Sequence, residues 1–187
     1  MRVSSVYNNR ESYPCSIYMK RIGLLSDTHS YWDDRYALHF KGCDEIWHAG
    51  DVGDMSIIQR LLELAPMVRA VAGNIDHGEV RRRCPELMDF EVEGVKVLMT
   101  HIGGYPGKYS PGMKQLLREK GTRLMISGHS HILRVKYDHE LELLHINPGA
   151  AGVHGWQQVR TLVRFTLDKG APHDLEVIEL SKNYTPR

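Results

Sequence analysis

Short apolar runs alternate with amphipathic segments along the first half of the chain. Runs of strand length occur at Ile22–Leu25, Glu45–Trp47 and Val68–Val71. Between them, apolar residues recur at helical spacing from Tyr36 to Phe40 and from Met55 to Ala65. A helix buries positions three and four residues apart, whereas a buried strand appears as a short apolar run. The first half is therefore predicted to alternate strands with helices.

The second half is richer in strands. A tight turn at Glu93-Gly94 joins two strand-like runs, Leu87–Val92 and Val95–Met99, and one helix follows, with Ser110-Pro111 at its start and Gly121 at its end. Further strand-like runs occur at Leu124–Ile126, Ile132–Tyr137, Leu141–Ile146, Val159–Leu167 and Leu175–Leu180. An α/β first half and a strand-rich second half predict two facing sheets with helices on the outside.

The first eighteen residues differ from the rest of the chain. They are polar and rich in turn residues, and they contain no apolar stretch of the kind found in a secretory signal. At Met19 the chain runs directly into the first apolar strand. We therefore predict an N-terminal extension at residues 1–18 and a single domain at residues 19–187.

Composition narrows the function classes. Lysine and arginine number 24 against 23 acidic residues, so the formal charge is +1 and nothing favours long nucleic acid or a membrane surface. No apolar run approaches the ~18 residues that a membrane helix needs. Three widely spaced cysteines, Cys15, Cys43 and Cys84, form no disulfide framework, so we expect a reducing, cytoplasmic setting. The eleven histidines are the unusual feature, and they prompt a search for metal ligands.

Polar side chains with ligand chemistry follow five of the predicted strands. They are Asp27 and His29 after the first strand, Asp51 after the second, Asn74 after the third, His101 after Val95–Met99, and His129 and His131 after Leu124–Ile126. In α/β sheets, ligand sites form outside the carboxyl ends of the strands. Five such placements together point to one site.

The donor types indicate which ligand this site binds. Nitrogen and oxygen donors without a thiolate suit Mn²⁺, Fe²⁺, Ni²⁺ or Zn²⁺ better than Ca²⁺. Seven side chains are too many for one ion and suit two ions if one carboxylate bridges them. Two metals about 3.5–4 Å apart can clamp a phosphoryl group and generate hydroxide at neutral pH.

These residues fall into motifs that resemble the metallophosphoesterase (calcineurin-like phosphoesterase) superfamily. The motifs are Asp27-x-His29, Gly50-Asp51, Gly73-Asn74, His101 and Gly128-His129-x-His131, in the family's order between Arg21 and about Ala150. The chain looks most like the small single-domain phosphodiesterase branch, which shares its fold with the retromer scaffold subunit. The resemblance implies a four-layer α-β-β-α sandwich of two facing mixed sheets.

The resemblance also implies two ligand sets. Asp27, His29, Asp51 and His131 would hold one metal, and Asp51, Asn74, His101 and His129 would hold the second, with Asp51 bridging. Two divalent ions are expected, Mn²⁺ first, with Ni²⁺, Fe²⁺ or Zn²⁺ as alternatives.

Each residue taken alone has a simpler explanation. Asp27 could cap a helix, His29 and His131 could be hydrogen-bonded core residues, and Asn74 could be a turn residue. Their joint order argues against these explanations. His48 precedes the Gly50 turn and is expected to be structural. The histidines outside every motif are expected to be surface or structural residues: His39, His139, His145, His154 and His173.

Three further features bear on substrate binding and catalysis. Arg81, Arg82 and Arg83 could grip a phosphate, although a solvated helix face is the favoured interpretation. The loop from Gly103 to Tyr109 could cover the substrate or be only a connection. Ile75 stands where many members of the family have a histidine that protonates the leaving oxygen. Asp76 and His77 lie nearby and could replace it, but adjacent residues generally point in different directions, so we expect this general acid to be absent.

We therefore expect a phosphoesterase acting on small phosphodiesters through a dinuclear metal-bound hydroxide. A protein-interaction scaffold of the same fold is the alternative, although a scaffold has little reason to keep all seven donors. A nuclease is a third reading, and the absence of a basic, aromatic stripe argues against it. Assembly into a homo-oligomer is left open.

Overall fold

The structure is a computed structural model that describes residues 19–182, in which strands alternate with helices in the first half and strands predominate in the second, as predicted. The strands are β1 (Lys20–Leu25), β2 (Glu45–His48), β3 (Met67–Ala70), β4 (Leu87–Val92), β5 (Val95–Thr100), β6 (Gly104–Tyr105), β7 (Lys108–Tyr109), β8 (Leu124–Ile126), β9 (Leu133–Asp138), β10 (Leu143–Pro148), β11 (Val159–Asp168) and β12 (Ala171–Ser181). The helices are α1 (Arg35–Phe40), α2 (Met55–Leu62), α3 (Gly78–Arg83) and α4 (Met113–Lys120).

Two five-stranded mixed sheets form the body of the protein. The first has the order β12-β11-β1-β2-β3, and the second has the order β4-β5-β8-β10-β9. Each contains three neighbouring parallel strands, β1-β2-β3 in the first and β5-β8-β10 in the second. Antiparallel strands complete both sheets.

The two sheets face each other across an apolar core. Alternate residues of β1 and β11 in one sheet pack against alternate residues of β5 and β8 in the other. Trp47 fills the centre of this layer, with its ring centroid 5.1 Å from that of Phe90 and 5.6 Å from that of Phe165. Its indole nitrogen donates to Glu45 Oε2 at 3.0 Å, so the one polar atom of the side chain is satisfied.

Helices cover the outer faces of both sheets. Helices α1, α2 and α3 contribute Phe40, Leu61 and Val80 to a second apolar cluster outside the first sheet. Helix α4 contributes Met113 and Leu117 to a third cluster outside the other sheet. The order of layers is helix, sheet, sheet, helix, which is the four-layer α-β-β-α sandwich that the sequence motifs imply.

Some local features differ from the sequence predictions. Helix α3 was not predicted, because a six-residue helix with one buried residue, Val80, carries no periodic apolar signal. Helix α4 begins after Gly112, which has a φ of 77° and is its N-cap, so the helix starts later than the predicted Ser110-Pro111. The loop from Gly103 to Tyr109 contains the short β6–β7 hairpin.

Other sequence predictions concern the chain ends, the cysteines and membranes. The predicted extension, residues 1–18, lies outside the described residues, so its boundary at Met19 stays a prediction. Cys43 and Cys84 are buried free thiols. Among the residues that the structure describes, no helix is long and apolar enough to cross a membrane.

Adjacent leucines of α2 test the packing of the helical layer. Leu61 is fully buried whereas Leu62 is 53% exposed. Leu61→Ala should lower the free energy of unfolding by about 2–5 kcal/mol, because it removes buried methyl groups and leaves a cavity. Leu62→Ala, the matched control on the same helix, should change it by less than about 1 kcal/mol. Urea denaturation measures both, and equal losses would contradict the assigned orientation of the helix.

Candidate metal centre

The predicted ligands come together where the parallel strands of both sheets end. The loops after β1, β2 and β3 carry Asp27, Asp51 and Asn74, and the segments after β5 and β8 carry the histidines of the second sheet. Backbone hydrogen bonds join these loops, from Asp27 N to Gly50 O at 2.9 Å and from Gly128 N to His101 O at 3.0 Å. The site is therefore built from both sheets.

Left-handed backbone conformations are concentrated at this site. Five of the seven predicted ligands have positive φ: Asp27 at 55°, His29 at 48°, Asp51 at 53°, His129 at 70° and His131 at 56°. A side chain in this region costs roughly 1 kcal/mol or more for most residue types. Such strain persists only where the surrounding structure enforces it, and it turns these side chains toward one point.

Asp27 is the centre of the first group of donors. Its carboxylate is fully buried, and Oδ1 lies 3.2 Å from His131 Nε2. Its other oxygen, Oδ2, accepts from Ser26 Oγ at 2.6 Å and from His129 N at 3.2 Å. One ligand atom each of Asp27, His29 and His131 fall within 4.8 Å of one another, a spacing that one metal ion could span.

Asp51 is the centre of the second group. Its Oδ1 lies 3.2 Å from His101 Nε2 and accepts from Ile75 N at 3.1 Å. Asp51, His101 and His129 also place one ligand atom each within 4.8 Å of one another. The other oxygen of Asp51, Oδ2, lies 3.7 Å from His29 Nε2 in the first group. The two oxygens of Asp51 thus face the two groups.

Buried polar atoms without a hydrogen-bond partner are concentrated here. Asp27 Oδ1, His29 Nε2 and His101 Nε2 are all buried and make no hydrogen bond. Buried polar groups are normally paired, because an unpaired one costs about 1–3 kcal/mol. The three atoms are a carboxylate oxygen and two imidazole nitrogens, which are common metal ligands, and they belong to the two donor groups. The residues present therefore fit divalent metal ions.

Hydrogen bonds on the far side of two imidazoles orient them. His101 Nδ1 donates to Ala49 O at 2.8 Å, and His131 Nδ1 donates to Gln157 Oε1 at 3.2 Å. In each neutral ring this leaves the lone pair on Nε2, which faces the carboxylates. Metal-binding histidines are typically held in this way.

His48 has the opposite arrangement. Its Nδ1 accepts from Gly50 N at 3.2 Å, so Nε2 carries the hydrogen and donates to Thr28 Oγ1 at 2.9 Å. Thr28 Oγ1 in turn donates to Val52 O at 3.0 Å. No lone pair of His48 is left for a metal, which agrees with the structural role predicted for it.

Asp76 and Gly73 support the loops that carry the second group of donors. The Asp76 carboxylate accepts from Val52 N at 3.1 Å, Gly53 N at 2.7 Å and Gly73 N at 2.7 Å, and so ties together the loops after β2 and β3. A Cβ at position 73 would clash with Asp51 Oδ1, so glycine is needed there. The sequence does not predict this role of Asp76, because a carboxylate that binds distant backbone amides leaves no local sequence pattern.

The electrostatics of the groups follow from burial and from the carboxylates. Burial lowers the pKa of His29. Burial acts to lower the pKa of His101 as well, but Asp51 and Asp27 outweigh it and the pKa is raised. The pKa of His131 is raised by Asp27. Burial acts to raise the pKa of Asp51, yet His101 and the Ile75 amide hold it below its usual range, so Asp51 stays ionised.

A cavity of about 690 Å³ opens over these groups, and we term it the metal-facing cavity. Its lining includes five predicted ligands, His29, Asp51, Asn74, His129 and His131, together with Ile75, Ile132, His154 and Trp156. Asn74 thus joins the other donors at this opening. The ring of His154 lies 4.8 Å from that of His29, so this histidine, which belongs to no motif and was expected to be a surface or structural residue, borders the site. A loop that follows the last motif gives no sequence signal for this placement.

The remaining sequence candidates lie outside this cavity. His77 is exposed, with Nδ1 2.8 Å from Ile75 O, and it does not line the metal-facing cavity. Arg81 and Arg83 pair with Glu86 and Glu79, and none of the three arginines lines the cavity. These contacts favour the solvated-face interpretation of the arginine run.

Comparison with known proteins gives a consistent result. Residues 19–170 match the family model of the calcineurin-like phosphoesterase superfamily domain. A probable metallophosphoesterase of Methanocaldococcus jannaschii is 34% identical over 139 residues, which cover 71% of this chain and 68% of that protein.

Solved structures share the fold at low sequence identity. Vps29 of Chaetomium thermophilum superposes with a TM-score of 0.67 at 12% identity, covering 86% of this chain and 97% of that one. A protein described as a novel archaeal phosphodiesterase has a TM-score of 0.64 at 20% identity, with coverage of 86% and 99%. These similarities establish the architecture.

The buried ring of His48 predicts a specific acid sensitivity. Burial lowers its pKa to about 4, below the ~6.5 of an exposed histidine. Between these values the unfolded chain binds the proton and the folded chain does not. The stability contribution is therefore full above pH 6.5, falls progressively as the pH is lowered from 6.5 toward 4, and is gone below 4.

From pH 7 to pH 5 this group should reduce the free energy of unfolding by about 2 kcal/mol. His48→Asn should remove that part of the pH dependence, whatever its effect at pH 7. The exposed His139→Asn variant is the control and should keep the dependence of the parent. An unchanged slope in His48→Asn would show that folding does not lower the pKa of His48.

Proposed function

This chain belongs to the calcineurin-like phosphoesterase superfamily of metal-dependent phosphoesterases, and from that membership we propose that it hydrolyses small phosphodiesters at a centre of two divalent ions. The observation that carries the proposal is the pair of donor groups centred on Asp27 and Asp51, with unpartnered ligand atoms directed between them. Mn²⁺ is the ion to test first, because mixed nitrogen and oxygen donors suit it.

The ligand sets follow the two donor groups. Asp27, His29 and His131 would hold one ion, and His101, His129 and Asn74 the other. Asp51 would bridge them, an assignment supported by its two oxygens facing His29 and His101 respectively. When bound, two divalent ions lower the pKa of water and neutralise charge on a phosphoryl group.

The chain's own residues set the shape and polarity of the site. Hydrogen bonds to Ala49 O and Gln157 hold the imidazoles of His101 and His131 in one tautomer, so little reorganisation accompanies binding. The Ile75 amide and the Asp76 network hold Asp51 in place. Ile75, Ile132 and Trp156 give the opening an apolar border against which organic ester groups can pack.

The lining of the metal-facing cavity favours diesters over monoesters. A monoester phosphate carries close to two negative charges at neutral pH, whereas a diester carries one. Enzymes commonly recognise phosphate with arginine or lysine, but among the described residues none of either type lines this cavity. The proposed metal ions are then the main positive charge, which suits the singly charged diester and its two organic arms.

A pure scaffold function would not need this arrangement. Placing two buried carboxylates and two half-buried imidazoles at strained backbone positions is costly unless a ligand compensates for it. A surface that only binds another protein has no use for donors that face inward. The intact donor set therefore favours an enzyme over the scaffold alternative.

Metal content tests the bridging role of Asp51. Asp51→Asn removes the charge between the two groups, so Mn²⁺ occupancy at both positions should fall. Hydrolysis of bis(4-nitrophenyl) phosphate should fall by roughly 10²-fold or more. Asp54→Asn is a matched control on the same loop, because Asp54 is an exposed N-cap of α2 and asparagine caps equally well. Elemental analysis that finds full occupancy in Asp51→Asn would contradict the bridge.

The dependence of rate on the leaving group tests for a general acid. Ile75 cannot donate a proton, so a contribution of about 10²–10⁴-fold should be absent. Hydrolysis should be fast for nitrophenyl diesters and slow for alkyl diesters. The measurement is a rate series across diesters of graded leaving-group pKa, and Ile75→His should flatten it.

Two alanine variants serve as the comparison for this series. His77→Ala should leave the dependence unchanged, since His77 lies outside the cavity lining. A flat series in the parent would show that an acid is already present. A steep series in His77→Ala or in His154→Ala would then identify the replaced histidine as that acid.

A further inference from the structure

A second cavity, of about 490 Å³, lies beside the metal-facing cavity, and we term it the Tyr105 pocket. His101 and His129, two of the proposed ligands, form one wall. His129 and Ser130 line both cavities, so they separate the two spaces. A group attached to a phosphate at the metal centre could therefore extend into the Tyr105 pocket.

The Tyr105 pocket has an excess of positive charge. Arg134 and Lys108 line it, and no aspartate or glutamate among the described residues does so. Neither cation forms an ion pair with a carboxylate in the part of the chain that the structure describes. The metal-facing cavity has no arginine or lysine in its lining, so the two spaces differ in the charge that they accept.

The guanidinium group of Arg134 is held in position. Its central carbon lies 3.6 Å from the centroid of the Tyr105 ring, a close cation–π stack. The β6–β7 hairpin that carries Tyr105 is fastened by Lys136, whose Nζ donates to Pro106 O at 3.2 Å. A fixed planar guanidinium presents its hydrogen-bond donors to an anionic oxygen group with little loss of side-chain freedom.

His145 also lines the Tyr105 pocket. The side chain lines the pocket but is only 1% exposed, and its Nδ1 has no hydrogen-bond partner. Its Nε2 lies 2.8 Å from Ser127 Oγ. Because burial lowers the pKa of His145 to about 4, the ring is neutral and adds no charge of its own. The charge of the pocket lining therefore comes from Arg134 and Lys108.

We propose that the Tyr105 pocket binds one organic arm of the phosphodiester, and that this arm carries an anionic oxygen group, a carboxylate or a second phosphate. Arg134 and Lys108 bind the anionic group, and Tyr105 positions Arg134. The inference rests on the proposed function for the phosphate at the metal centre, and it adds a substrate class: phosphodiesters of an alcohol that is itself acidic.

Binding of stable phosphonates to the Mn²⁺-loaded protein tests this inference. One series carries a terminal carboxylate on alkyl chains of graded length, a second carries the isosteric terminal amide, and a third carries a terminal phosphonate. Calorimetry should show that at the best chain length an anionic end binds about tenfold more tightly than the amide, the size of one charge-assisted hydrogen bond. The carboxylate and phosphonate series distinguish the two anionic groups.

Variants assign the preference to the pocket. Arg134→Gln should reduce the ratio of anion to amide affinity to near one, whereas Arg134→Lys should retain part of it. Arg118→Gln is the matched control, because Arg118 is an exposed residue of α4 outside the pocket lining. Equal affinities of anion and amide in the parent, or a preference unaffected by Arg134→Gln, would overturn the inference.

Turnover of bis(4-nitrophenyl) phosphate by the same samples separates the two claims. An inactive protein that still prefers the anionic arm would refute the proposed diesterase function and keep the pocket assignment. An active protein without the preference would refute the pocket assignment alone. Failure of every phosphonate to bind would also overturn the pocket assignment.

Discussion

Two buried carboxylates, those of Asp27 and Asp51, lie at the ends of neighbouring parallel strands, and much of the structure around them offsets the cost of that placement. Ionised carboxylates are stable inside a protein only when they are hydrogen-bonded or paired with positive charge. Backbone amides of His129 and Ile75 supply part of this compensation. The buried and unpartnered Asp27 Oδ1 is the part that the protein leaves to a ligand. In the proposed function, a divalent cation would supply it.

This requirement explains why the protein needs two sheets rather than one. The carboxylates belong to the first sheet, whereas His101, His129 and His131 follow strands of the second. His101 Nδ1 donates to Ala49 O, and His129 N donates to Asp27 Oδ2, so both contacts cross between the sheets. The apolar layer around Trp47 holds the sheets at the separation that these contacts need. The packing of the core therefore helps to set the geometry of the donor groups.

Much of this organisation could be predicted from local sequence. Buried strands such as Ile22–Leu25 appear as apolar runs, and ligand residues such as Asp27 and His29 follow them directly. The four-layer order was predicted with the family resemblance, and the structure confirms it. The supporting residues were out of reach, because Gln157 orients His131 and Asp76 binds Gly53 N across long sequence separations. Helix α3 was missed since its single buried residue gives no periodicity.

If the Asp51 carboxylate bridges two metal ions, as we propose, those ions are magnetically coupled. Electron paramagnetic resonance should be recorded while Mn²⁺ is added to the metal-free protein in steps. A bridging carboxylate brings the ions close enough for exchange coupling, so we expect a coupled spin spectrum that grows as the second equivalent binds. If the spectrum shows only isolated Mn²⁺ ions at every ratio of metal to protein, the bridging role of Asp51 is contradicted.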